Sequence, residues 1–301
     1  MRPFQLLFAL LAVHSVDAKQ RAITLGEFAK VALLTPTTIR SGVLAIALPY
    51  ACAQVGFEGR DFEPALLSLI IATPSAFTIN AAYQRRERAL SNLASFRAAS
   101  FSMISSVERW GLEEHRAKVR QELCKVYDGL CRLLQAVEDE DEIAALRDVY
   151  AHLAVIGELV DTVRFNPKAG YDQDLMPALS TLLHSDERTL VQNIEQLRMI
   201  STTGTPYLIR GFTVGGASGF PVIFAPYFAS IADGPSLFES WAAYLVSFLF
   251  AVTISAIVSI QEALEDPFDG DTRLDDITLA AFAPPGCGEI DPAAAYESYI
   301  G

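Results

Sequence analysis

The chain of 301 residues carries two clusters of charge, each placed where a long apolar stretch ends. The first is Tyr83-Gln84-Arg85-Arg86-Glu87-Arg88, after the apolar run that begins at Pro64. The second opens with Glu265-Asp266-Pro267-Phe268 and continues through Asp269, Asp271, Asp275 and Asp276, after the apolar run from Leu237. Arginines at the end of an apolar helix anchor it among lipid headgroups and raise the local concentration of anions. Carboxylates in the same position read as a water-facing turn that ends a helix, with Asp275-Asp276 capping the next segment. The residue patterns of enzymes are missing: no glycine-rich phosphate loop, no His-Glu-x-x-His, no nucleophile elbow. His14, His115, His152 and His184 are scattered, none at ligand spacing from a cysteine or aspartate, and His115 and His152 read as solvated or core-satisfied helix residues. Cys52, Cys124, Cys131 and Cys287 show no metal spacing. Cys124 and Cys131 lie seven apart on one helical face and read as small core residues, so no disulfide framework is expected.

The elements that position these clusters are apolar helices. A chain that is 51% hydrophobic, with 20% charged residues and mean hydropathy +0.28, points to a membrane protein. A net charge of −13 disfavours nucleic acid. Crossing a bilayer takes about 20 apolar residues, and four segments meet that length. The first, roughly 31–55, is broken near Pro36, and its Arg40 must face an interface or the bundle interior. The second opens at Pro64, which suits a first helical turn, and carries Pro74 inside it. Ser68, Thr73, Ser75, Thr78 and Asn80 recur along it, which suits a pore-lining helix and a helix packed among its neighbours equally well. The third, from Tyr207, is rich in Gly and Ala and distorted by Pro221 and Pro226. The fourth runs from about Leu237 to Leu264, with Trp241 and Tyr244 near its start, where interfacial aromatics belong.

Residues 83–206 hold 15 of the 23 Lys and Arg, loop 57–63 only Arg60, and loop 229–239 none. The positive-inside rule therefore places 83–206 on the cytosolic or stromal side, with both mature ends inside. Within it, Leu123, Val126, Tyr127, Leu130, Leu134 and Val137 share one helical face. Leu153, Ile156, Val160 and Val163 share another, and Leu190, Ile194 and Leu197 a third, on a helix that Ser185 could cap. Glu138 to Glu142 reads as a solvated turn or helix end, or as a cation-attracting ring in an oligomer. Arg2, the apolar run from Phe4 to Val13 and the small residues to Ala18 form a signal-peptide pattern. Such a leader directs a chain to secretory or endomembranes, or begins a plastid or thylakoid targeting sequence.

The fold class expected is all-α. The divisions are 1–18 leader, 19–83 membrane helices one and two, 84–206 soluble helical domain, 207–265 membrane helices three and four, and 266–301 acidic turn and tail. The end of that tail, 280–301, should be loose or wrapped on a neighbour.

This order resembles the bestrophin family of anion channels, and is closer to its bacterial, plant and algal relatives. In that family a Pro-Phe acidic turn follows the last of four membrane helices, here Pro267-Phe268. A pattern F-x-x-N-x-x-Y-x-R after the second helix matches Phe77, Asn80, Tyr83 and Arg85. A Thr-Pro step before the third matches Thr205-Pro206, after Leu197-Arg198. Arg86 stands where the family often has an aromatic, and Asp269 separates Phe268 from Gly270. The resemblance implies a homo-oligomer, a pentamer, conducting chloride or another small anion passively across a lipid bilayer. Its pore neck would be formed by the second helix: Thr73, Phe77 and Ala81 if aligned on Pro74, or Leu69, Thr73 and Phe77 if aligned on Phe77-x-x-Asn80. Arg85, Arg86 and Arg88 would stand at the inner mouth. No cofactor is required, and calcium is the one ion the resemblance allows for. Asp266 and Asp271 match positions of the family's calcium clasp and Asp275 adjoins another, while Ala263 offers no side-chain oxygen at a fourth. The other function the same residues fit is a non-conducting membrane scaffold with this helical fold.

Overall fold

The computed structural model describes residues 26, 29–57, 59, 64–136, 138–166, 170, 174–204, 206–232, 237–265, 267–268 and 276–287. The leader 1–18 and the carboxylates Asp266, Asp271 and Asp275 lie outside the described residues, as do the side chains of 64–72 and 237–240.

Described residues form seven α-helices: α1 Pro36–Val55, α2 Pro64–Trp110, α3 Glu113–Leu134, α4 Asp139–Phe165, α5 Met176–Thr202, α6 Tyr207–Ala232 and α7 Leu237–Ala263. A π-helical turn, Ala29–Leu33, precedes α1, and a 3-10 turn, Leu279–Phe282, follows α7. No strand occurs among the described residues. The break expected near Pro36 is a helix start. Thr35 caps α1, its Oγ1 accepting from the Thr38 N–H at 3.2 Å, and Pro36 occupies the first turn. Gly56 closes α1 in the left-handed region at φ 65°. Among the described residues, three helical stretches are long and apolar enough to cross a membrane: Pro36–Val55, one within Met176–Ala232, and Trp241–Ala263.

The second apolar segment and the arginine cluster share one helix. α2 runs 47 residues, about 70 Å at 1.5 Å per residue, more than twice the roughly 30 Å hydrocarbon layer. α2 packs against α6 and α7 and also against α3 and α5: Thr78 is bonded to Gln261 of α7, while Leu93, Phe96 and Met103 join the core shared with α3 and α5. α1, α6 and α7 pack closely as a trio, and α3 pairs with α4.

The soluble body holds the larger core: Leu93, Phe96 and Met103 from α2, Leu123 and Leu130 from α3, Ile156 from α4, and Leu190, Ile194 and Leu197 from α5. The three apolar faces read from the sequence are all buried here, apart from Val137, which lies outside the described residues. A smaller cluster, Ala45, Phe220, Phe224, Phe228 and Ala251, sits in the trio.

Three expectations are corrected. Cys124 and Cys287 form a disulfide across 163 residues, and only Cys131 of the α3 pair is a free thiol. Their separation carries no spacing signal, because the pairing depends on the tail folding back over α3. Ser185 is no cap. It lies inside α5, where its carbonyl accepts from the Thr189 hydroxyl at 2.8 Å, and the helix starts nine residues earlier because Pro177 can occupy its first turn. The tail is not loose from 280 to 287: Phe282 and Ala283 pack against the larger core, Pro284 is buried and Cys287 is bonded to α3.

Candidate anion pathway along the second helix

From Thr73 onward, the first half of α2 has a buried side and an open side. Ser75, Thr78, Ala82 and Ala89 are buried. Thr73, Phe77, Ala81, Gln84, Arg88 and Ser91 are exposed. Steps of four, four, three, four and three keep those six on one stripe of a 3.6-residue helix. Phe77 is 70% exposed, more than any other aromatic described in the first half of the chain. Of the four candidate neck residues, Thr73, Phe77 and Ala81 therefore lie on a single face that none of the chain's own described helices covers. The side chain of Leu69 lies outside the described residues. Asn80 and Tyr83 are also exposed, Tyr83 by 56%.

The buried side is tied to α7. Thr78 donates its hydroxyl to Gln261 Oε1 at 2.7 Å, sharing it with the Ser75 carbonyl at 2.8 Å. Gln261 is 1% exposed. This bond fixes the rotation of α2, and so fixes which face carries Phe77.

The three arginines of the inner mouth divide. Arg85 Nη1 donates to the Glu265 carbonyl at 3.0 Å, binding α2 to the end of α7. Arg86 is half-buried, and Arg88 is exposed on the open stripe. Arg85, Arg88, Gln84, Asn92 and Gln196 line a cleft of about 560 Å³ between α2 and α5. Its donors all suit an anion: two guanidinium groups and three side-chain amides.

Sequence reasoning missed Arg210 and Gln261. Arg210, in the first turn of α6, pairs with Glu265 at 3.3 Å and Glu262 at 3.7 Å. The signal was available, since an arginine at the start of an apolar run needs a partner. Two helix ends and α2 thus converge on Glu265, at the level where the acidic turn begins. The two ends of that turn are joined, the Ile277 N–H donating to the Pro267 carbonyl at 2.9 Å. No group of three metal-ligating side chains occurs among the described residues.

Solved structures share this arrangement of helices. A bacterial bestrophin homologue from Klebsiella pneumoniae, solved as a point variant, superposes with TM-score 0.64 at 18% identity, covering 85% of this chain and 94% of that one. A second variant gives 0.60 at 18%, covering 82% and 95%, and a structure phased with zinc gives 0.62 at 19%, covering 82% and 91%. The chain has the bestrophin fold. No protein-family model matches the sequence, and no curated protein matches it. The all-helical architecture expected from the residue pattern is therefore the bestrophin one, carried by a sequence that differs from these homologues at more than four positions in five.

Proposed function

We propose that this chain is a subunit of a passive anion channel, taking chloride or a similar small anion through an oligomeric pore lined by α2. The observation that carries the reading is the broad open face from Thr73 to Arg88, opposite the side of Ser75, Thr78 and Ala82 that is buried in the fold. A stripe left uncovered by its own chain is what closing identical helices around a shared axis requires. The bestrophin fold supports the same reading, since that family is one of ion channels.

In this arrangement Phe77 forms a narrow ring and Thr73 a hydroxyl ring one turn away. Aromatic edges and hydroxyl donors stabilise a passing anion weakly, without a fixed cation that would trap it. Arg88, unburdened by an ion pair among the described residues, raises the anion concentration at the inner mouth, while Arg85 holds the helix in place. The Phe77–Thr73 neck is wider and wetter than an all-apolar one. Calcium is a proposed ligand of Asp266, Asp271 and Asp275. With Ala263 at a fourth position these carboxylates would give calcium an incomplete oxygen shell, so the channel reading requires no calcium gate.

The test is ion flux from purified protein in liposomes, with opposed chloride and potassium gradients, and with calcium present or chelated. The expected result is chloride-selective flux that chelation changes by less than about twofold, and altered conductance in Phe77→Ala. Absence of flux from protein shown to be folded and oligomeric would transfer the assignment to a membrane scaffold.

A further inference from the structure

The last described stretch, 276–287, forms a strap laid over α2 and α3. Its first part is seated by apolar groups, Ile277 and Leu279 buried and Phe282 and Ala283 packed against the core; Pro284 is buried too, while Ala281 and Gly286 are exposed and Pro285 is half-buried. Hydrogen bonds position it. The Tyr127 hydroxyl donates to the Leu279 carbonyl, Arg97 Nη1 donates to the Ala281 carbonyl at 2.9 Å, and the Ile277 N–H reaches back to Pro267. At its far end Cys287 is bonded to Cys124 of α3. Gly286 makes that approach possible: it sits at φ +83°, where a Cβ would lie 3.1 Å from Arg120 Cδ.

The strap begins where Glu265 gathers Arg85 and Arg210, so its seating bears on the inner mouth of α2. Both bonded cysteines are half-buried, within reach of solvent. The charge distribution orients this body to the positive-inside side, where glutathione and protein dithiols keep thiols reduced. A disulfide in such a place cycles between states; a permanent structural bridge belongs to oxidising compartments.

We propose that Cys124–Cys287 is a reversible thiol-modification site, opened by protein dithiols of the thioredoxin class, that latches the C-terminal strap onto the helical body. A thiolate of the dithiol attacks one sulfur, breaking the bond and forming a mixed disulfide. The second dithiol sulfur displaces it. Two electrons and two protons pass to Cys124 and Cys287, and the dithiol leaves as a disulfide. Cys131 takes no part: burial first of all pushes its thiol up to about 11, so it stays protonated and unreactive. The latch goes beyond the channel reading and does not depend on it.

The experiment uses the full-length protein in liposomes. Peptide mapping without reductant is expected to recover Cys124 linked to Cys287. Dithiothreitol, and separately a reduced thioredoxin, should free both thiols for alkylation and speed amide exchange of 277–287 by about tenfold or more, with α3 and α4 unchanged. Cys287→Ser should exchange fast with or without reductant, and Cys131→Ser should behave as the parent. Alkylation of Cys287 before reduction, exchange of the strap unchanged after reduction, or resistance to thioredoxin would each overturn the proposal. Reduction of the unmutated protein carries the test even where a serine variant folds poorly. Flux is not a readout here, so loss of the channel reading leaves this result standing.

Discussion

The soluble body and the membrane trio are both built from packed helices, but different residues hold them together. In the body the contacts are large and dry: Phe96, Leu123, Leu130, Ile156 and Ile194 are essentially inaccessible. In the trio three large rings, Phe220, Phe224 and Phe228, are buried among small residues, Gly42, Ala45 and Ala251. Buried polar side chains, among them Thr38, Ser247, Ser255 and Gln261, collect around them. The Ser247 hydroxyl donates to the Ala45 carbonyl at 2.7 Å, and the Thr35 and Ser259 hydroxyls lie 3.1 Å apart. The reason is the solvent. Burying a leucine out of water stabilises by about 1.5–3 kcal/mol, but lipid tails are already as apolar as leucine, so helices in a bilayer gain from close approach and from hydrogen bonds worth roughly 0.6 kcal/mol each.

The contrast can be broken at its strongest point by Leu130→Ala in α3. That change empties part of the dry core and should destabilise by about 3 kcal/mol, read as a thermal midpoint lower by several degrees in detergent with no change in the trio's helicity. A midpoint within error of the parent would mean that the body is not the stable half. Next in size is Gly42→Ala in α1, where the new Cβ would stand 2.8 Å from Phe248 Cε2. Overpacking of this kind costs roughly 1–3 kcal/mol and should separate α1 from α7, seen as weaker cross-linking between cysteine pairs placed on those two helices. Gly129→Ala, against Val149 Cγ2 at 2.7 Å, should lower the body's stability comparably and leave that cross-linking intact.

The smallest effect concerns Glu122, also in the body. Burial acts to raise its carboxyl, but hydrogen bonds from Lys125 at 2.7 Å and His152 at 2.7 Å outweigh it and hold the group below its ordinary value. A carboxylate with a depressed folded-state pKa contributes stability above its unfolded pKa and loses it as pH falls through the folded one. The unfolding midpoint should therefore drop as pH falls below roughly 4.5, and Glu122→Gln should flatten that part of the profile. An unchanged acid limb would remove Glu122 from the explanation.

Much of the fold was legible because both halves write periodic patterns. Leu123 to Leu134, Leu153 to Val163 and Leu190 to Leu197 announced their buried faces by spacing alone, and the apolar runs announced the membrane half by length. The continuity of α2 was hidden because composition changes at Tyr83 while the backbone does not, and nothing in helix propensity marks that change as a stop. The candidate site was half legible. Thr73 and Phe77 could be placed on one face, but which face remains open is set by Thr78 meeting Gln261, a contact across 183 residues. The Arg210–Glu265 pair and the Cys124–Cys287 bridge were invisible for the same reason: each joins residues with no local relation.

The length of α2 has one more consequence. From Phe77 to Trp110 it contains neither glycine nor proline, so nothing along that span invites a kink. One added residue turns everything on one side of it by about 100° relative to the other. A single insertion near Gln84 would leave Leu93 and Phe96 seated and swing Phe77 away from the open face, whereas an added block of seven would nearly restore the phase. Natural variation in this stretch should therefore be counted in helical turns: the helix keeps time between the body and the neck, and tolerates changes of length only in whole beats.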